Sequence, residues 1–178
     1  RFKMLDNLRR SLLAPAFVAS SVAGWLTLPA AWPLIWQGLL VLLLALVAIL
    51  QVDLKIMTGQ HGIPVRHQLR LMLRDARNYV TELGLIVTTM AHRAARSLDA
   101  IGRTLWRLAV SRKHLLEWTP AREAGRGPAS LTNSYRGMAG SVAIGVAALI
   151  ATAIVNPIAL PVALILCGLW IAAPFIMF

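Results

Sequence analysis

Residues 11–52 read SLLAPAFVASSVAGWLTLPAAWPLIWQGLLVLLLALVAILQV, 42 residues without a single Asp, Glu, Lys, Arg or His. The hydrocarbon core of a bilayer is about 30 Å thick and takes about 20 helical residues at about 1.5 Å each. One helix of this length would be roughly twice too long, so the stretch reads as a helical hairpin that turns at Pro29 and Pro33. Residues 137–178, GMAGSVAIGVAALIATAIVNPIALPVALILCGLWIAAPFIMF, repeat the pattern with another 42 uncharged residues and a turn at Asn156-Pro157. The expected fold is an all-α integral membrane protein: two transmembrane helical hairpins, four spans in all, joined by basic amphipathic interfacial helices.

Composition agrees with that reading. Of the 178 residues 58% are hydrophobic and 14% charged, and all 18 Lys and Arg fall outside the two apolar blocks, a balance that fits a membrane protein and argues against a soluble domain. The net charge of +11 would suit nucleic acid. Here the basic residues lie beside apolar spans, where the positive-inside effect and anionic headgroups account for them. No RNA- or DNA-binding motif is present, so the expected partner is the lipid bilayer and not nucleic acid. Cys167 is the only cysteine, which rules out an intrachain disulfide. The chain opens Arg-Phe-Lys-Met, without an initiator Met or a signal peptide, and ends on Phe178; the expectation is an internal piece of a longer polypeptide.

Five segments follow along the chain. Residues 1–12 form a basic segment leading into the membrane, with Arg1, Lys3, Arg9 and Arg10 against Asp6; Ser11 is expected to cap the helix that follows, with Pro15 in its first turn. Residues 13–52 are transmembrane hairpin one. Its first span carries Ala16, Ser20 and Gly24 at the spacing that lets helices approach closely in lipid, and Trp25, Trp32 and Trp36 are placed at headgroup level. Residues 53–118 are cytoplasmic or interfacial amphipathic helices, with an apolar stripe through Val65, Leu69, Met72, Ala76, Tyr79, Leu83, Ile86 and Met90 and breaks at Gly84 and Gly102. Residues 119–137 read as a Gly/Pro/Arg-rich loop. Residues 138–178 are transmembrane hairpin two, with Ala139, Ala143, Ala147 and Ala151 as its close-packing face. The basic regions carry all the Lys and Arg and the hairpin turns none, so both ends and the middle are expected in the cytoplasm.

Chemistry is absent from these residues. His61, His67, His92 and His114 are scattered without metal-ligand spacing, and there is no phosphate-cradling Gly loop or nucleophile arrangement. No catalytic, cofactor-binding or metal-binding residue is expected. Two local clusters remain, Leu5-Asp6-Asn7-Leu8-Arg9-Arg10-Ser11-Leu12 and Ser111-Arg112-Lys113-His114-Leu115-Leu116-Glu117-Trp118-Thr119. Two readings stand for Arg9, Arg10, Arg112, Lys113 and Trp118: contact with lipid headgroups, with Trp118 as interfacial anchor, or docking of the bundle onto a cytosolic catalytic domain.

At these clusters the sequence resembles the cyclic β-1,2-glucan synthases, large inner-membrane enzymes of Gram-negative bacteria. The matching pieces are Lys3-Met4-Leu5-Asp6-Asn7-Leu8-Arg9-Arg10-Ser11-Leu12, Ser111 to Trp118, Ser134-Tyr135-Arg136 leading into a span, and Gly168-Leu169-Trp170 followed by Ala173-Pro174. Lys113 stands where the family more often has Arg, and residues 120–133 carry nothing across. The resemblance implies a bacterial inner-membrane parent enzyme, multi-pass, that builds β-1,2-glucan from UDP-glucose with a divalent metal. It also implies cytosolic glycosyltransferase and phosphorylase-like domains of the same polypeptide on either flank, with all catalytic motifs outside this segment. The competing reading is a free-standing four-span membrane scaffold or transporter subunit without enzymatic activity. A third is a membrane-surface regulator that binds anionic lipid through the middle helices.

Overall fold

The computed structural model of the protein describes residues 2–29, 31–56, 65–111 and 130–178. The elements are α1 (Phe2–Thr27), α2 (Trp32–Ile56), α3 (Val65–Trp106, continued by a π-helical turn, Arg107–Ser111), α4 (Leu131–Gly137), α5 (Ala139–Val155), a single 3-10 turn (Pro157–Ala159) and α6 (Leu160–Ile176). All are helical, and no strand occurs among the described residues.

The spans emerge unevenly. Pro157–Ile176, 20 residues, is long and apolar enough to cross a membrane. The pair Leu131–Gly137 and Ala139–Val155, bent by 67°, qualifies as a second if counted as one broken span. On the α2 side the apolar helix Trp32–Leu46 is shorter. In α1 the uncharged part inside the helix begins only at Ser11, one residue after Arg10, and is diluted by Ser20, Ser21, Gly24 and Thr27. Among the described residues one helix is thus long and apolar enough to cross a membrane, or two if the bent pair is a single span, where four spans were expected.

Several local expectations are corrected. Helix α1 runs without a break from the basic segment 1–12 into the first apolar block. Ser11 does not cap it: its hydroxyl donates to the Asn7 carbonyl at 3.0 Å, one turn back, and Pro15 lies inside the helix. The middle does not divide at Gly84 or Gly102. A lone glycine costs a helix only about 1 kcal/mol, and α3 continues for 42 residues. Residues 131–137, expected in a loop, form α4. Finally, the buried side of α5 is Ser141, Gly145, Ala148 and Thr152, not the stripe Ala139, Ala143, Ala147 and Ala151. Both rows consist of small residues, so spacing alone does not choose between them. Gly145 does: a Cβ there would sit 3.0 Å from Ile171 Cγ1 and 3.3 Å from the Cys167 carbonyl oxygen, so the α6 backbone occupies that space.

The core is where α1, α3, α5 and α6 meet, around Phe17, Trp25, Met90, Ala91, Ala94, Ala148, Cys167 and Trp170. Hydroxyls on the buried side of α5 stay satisfied within their own helix: Ser141 donates to the Met138 carbonyl at 2.8 Å and Thr152 to the Ala148 carbonyl at 2.8 Å. This is the arrangement expected where no water competes.

Candidate functional site

Two polar regions stand out against this apolar frame, one inside the bundle and one at its basic end. The inner one begins with Trp25 and Trp170, both fully buried, their ring centroids 5.9 Å apart and tilted by 34°, within the range of favourable aromatic pairs. Trp25 was expected at headgroup level with Trp32 and Trp36. It is core instead, while Trp32 is 58% exposed. The Trp170 indole donates to the Val87 carbonyl of α3 at 3.1 Å. Asn156, in the turn before α6, donates from Nδ2 to the carbonyls of Trp25 and Leu28, both at 2.9 Å. Carbonyls in the last turn of a helix have no partner within it, so Asn156 closes the end of α1 from the other hairpin. Trp36 of α2 donates to the Ser20 carbonyl at 2.9 Å and lies against Gly24, where an added Cβ would come 2.7 Å from its Nε1. The expected Ala16-Ser20-Gly24 row thus does face a neighbouring helix along its last turn.

Four buried polar atoms in this region find no partner: Ser21 Oγ, Trp25 Nε1 and both amide atoms of Gln37. Ser21 and Trp25 stand one helical turn apart on α1. Gln37 follows Trp36 on α2, at the level where that helix meets Ser20. Gln37 and Asn156 are both amides inside the apolar blocks, and the structure clamps Asn156 while it leaves Gln37 unpartnered.

The basic end is built from the start of α1 and the C-terminal half of α3. Of the predicted docking residues, Arg9 and Arg10 lie here, their side chains 67% and 73% exposed and both paired with Asp6, at 3.1 and 2.8 Å. Arg112, Lys113 and Trp118 lie outside the described residues. Arg93 and Arg96, which are not among the predicted docking residues, have no carboxylate within ion-pair distance among the described residues. Arg103 is bound to Asp99 one turn earlier, and that bond holds the Asp99 carboxyl below its ordinary range. His92 is pushed below its ordinary value, first by burial and second by the positive charge of Arg96. Ser11 of α1 faces Arg96, Ser97, Ala100, Ile101, Thr104 and Leu105 of α3 across a groove of about 410 Å³. Leu98, Leu105, Trp106, Leu108 and Val110 add exposed apolar surface along the same stretch of α3.

Among the described residues no group of three or more His, Cys, Asp or Glu gathers where a metal ion would bind. They therefore offer no fit for a divalent metal, and the basic end sets cations and apolar side chains side by side.

The comparison with known proteins adds a family likeness to this geometry. The chain is similar to the cyclic β-(1,2)-glucan synthase NdvB of Rhizobium meliloti (strain 1021), with 38% identity over 98% of its own length. It spans 6% of that relative. No family model matches. The resemblance to the cyclic β-1,2-glucan synthases is thus shown across nearly the whole chain, as a match to one short stretch of a much longer protein.

Proposed function

We propose that this chain is the transmembrane segment of a glucosyltransferase that makes cyclic β-1,2-glucan from UDP-glucose, and that it anchors and seats the cytosolic catalytic domain. The observation that carries this reading is the match over 98% of the chain to a cyclic β-(1,2)-glucan synthase. The two uncharged blocks support the anchoring part. On this reading α1, α2, α5 and α6 all cross the bacterial inner membrane, both ends are cytoplasmic, and α3 is held beside the hairpins because its uncharged run, residues 83–91, is too short to span. The UDP-glucose and divalent-metal chemistry belongs to a glycosyltransferase domain elsewhere in the same polypeptide, with a phosphorylase-like domain on the other flank. Arg9, Arg10, Arg112, Lys113 and Trp118 are assigned the docking contacts with those domains.

Two experiments test the reading. Single cysteines at Trp32 and Ile158, both exposed at hairpin turns, should react with a membrane-impermeant thiol reagent from the periplasmic side, and one at Leu8 should not. Labelling at Leu8 with protection at the turns overturns the topology. Arg112→Glu with Lys113→Glu in the full-length protein should lower incorporation of UDP-glucose in membranes while insertion continues. Unchanged synthesis removes the docking role.

A further inference from the structure

We infer that the groove between Ser11 of α1 and residues 96–105 of α3 is a binding site for an anionic phospholipid, with the phosphate headgroup on Arg96 and one acyl chain along Ala100, Ile101 and Leu105. The inference rests on the membrane reading above and goes further by naming a seat for one lipid.

Three observations converge. The groove, about 410 Å³, is lined by one cation, Arg96, by the hydroxyls of Ser11, Ser97 and Thr104, and by apolar Ala100, Ile101 and Leu105. That combination matches a phospholipid, which carries charge and hydrocarbon on one molecule. Second, the cation is uncompensated. Asp6 takes Arg9 and Arg10 and Asp99 takes Arg103, whereas Arg96 has no acidic partner among the described residues. Its charge is felt by His92, whose protonation it opposes. Third, the crevice opens beside exposed Leu98, Leu105 and Leu108, which continue the apolar surface a second acyl chain would follow. Basic pockets between helices on the cytoplasmic side are places where anionic headgroups bind. A nucleotide's phosphates would meet one free arginine here and no metal ligands, and would leave the apolar wall uncovered.

The hydroxyls fit the same picture. Ser11 and Thr104 already donate to carbonyls one turn back, at 3.0 and 2.7 Å, so their hydroxyl hydrogens are engaged and the Arg96 guanidinium, with the Ser97 hydroxyl beside it, is what the lining offers a phosphate. Arg93 is also exposed and unpaired but does not line the groove, so it reports the general attraction of a basic surface for an anionic bilayer.

The test uses the detergent-solubilised full-length protein, with bound lipid counted by native mass spectrometry as phosphatidylglycerol or phosphatidylcholine is titrated in. Phosphatidylglycerol should be retained in preference to phosphatidylcholine. Arg96→Gln should weaken retention roughly fivefold, the worth of about 1 kcal/mol for one cation at a lipid headgroup, with Arg93→Gln changing it less than about twofold. Ala100→Trp, which fills the apolar wall without touching charge, should weaken retention at least as much as Arg96→Gln. Equal losses for Arg93→Gln and Arg96→Gln would mean diffuse attraction and overturn the site, as would an Ala100→Trp protein that keeps its lipid. Displacement of the lipid by UDP-glucose would overturn it in favour of a nucleotide. Extraction of the full-length protein from membranes by alkaline carbonate would overturn the membrane reading itself, whereas failure of the groove variants alone leaves that reading standing.

Discussion

The two uncharged blocks of this chain have the same length and nearly the same composition, yet they are packed on different terms. In the second block α5 and α6 lie backbone against side chain: Gly145 admits the Cys167 carbonyl and the Ile171 side chain to within 3.3 Å of where its own Cβ would be. In the first block α1 and α2 are spaced by the Trp36 ring lying on Gly24, and α2 turns Leu39, Leu42, Leu43 and Leu46 outward. Hydropathy says that both blocks avoid water. It does not say which face of an apolar helix meets protein and which meets lipid, because lipid tails are as apolar as leucine and give no preference. That choice rests on a few glycines, tryptophans and amides.

The largest effect is expected where the two blocks meet, at Trp25 and Trp170. Trp25→Ala empties a fully buried site and should cost about 3–5 kcal/mol. It should be seen as lost hydrogen-exchange protection in α6 as well as α1 of the full-length protein in detergent. Protection lost in α1 alone would mean that the hairpins are coupled through something other than the indole pair.

The comparison sharpens at the two glycines. Gly145→Val drives methyl groups against a backbone carbonyl that cannot move without shifting α6, and overpacking of this kind costs about 1–3 kcal/mol. Gly24→Ala meets only the Trp36 ring, 38% exposed, which can swing outward at the loss of its bond to Ser20, worth about 1 kcal/mol. The Gly145 variant should therefore unfold at lower detergent or denaturant than the Gly24 variant. The reverse order would show that the ring-spaced hairpin is the more rigid of the two.

How much of this was legible in the sequence depends on the residue type. Charge segregation marked the two blocks and the turns at Pro29–Pro33 and Asn156-Pro157, because ionisable side chains are costly in hydrocarbon and their absence is informative. The stripe through Leu83, Ile86 and Met90 likewise marked the side of α3 that meets the bundle. The buried row of α5 was not legible, since Ala143 and Gly145 look alike to any scale of apolar character. Nor was the role of Trp25: an indole near a hairpin turn suits a headgroup as well as a core, and only the position of Trp170, 145 residues later, decides. The groove at Arg96 escaped for a related reason. Asp99 and Arg103 are paired four apart on one helix and can be read from spacing, whereas the approach of Ser11 to Arg96 is tertiary.

Gln37 offers a smaller test of the same contrast, because it is an amide buried in the hairpin with the looser spacing and neither of its polar atoms has a partner. An unpaired buried polar group costs about 1–3 kcal/mol. Gln37→Leu should therefore stabilise the full-length protein by about 1 kcal/mol, read as slower exchange in α2. Asn156, equally an amide, makes two bonds to the end of α1, and Asn156→Leu should move stability in the opposite direction. A Gln37→Leu protein that is stabler but makes less glucan would show that the amide is kept for function at a cost to the fold.

The weakest effect lies outside the blocks, at His92 on α3. Burial and then Arg96 hold this imidazole below its ordinary value of 6.5, so the unfolded chain takes up the proton before the folded one does. The His92 contribution is therefore neutral above pH 6.5 and turns against the fold as the pH falls below it, levelling off once the folded form is protonated as well. Exchange protection around Val87 to Ala95 should decline as the pH falls through 6.5, after correction for the intrinsic pH dependence of exchange, and His92→Gln should flatten that decline. Arg96→Gln should flatten it only in part, because it removes the second cause and leaves burial in place. If Arg96→Gln abolished the decline altogether, electrostatics and not burial would govern this part of α3, and the unpaired arginine that is proposed to hold a lipid phosphate would also set the pH response of the helix.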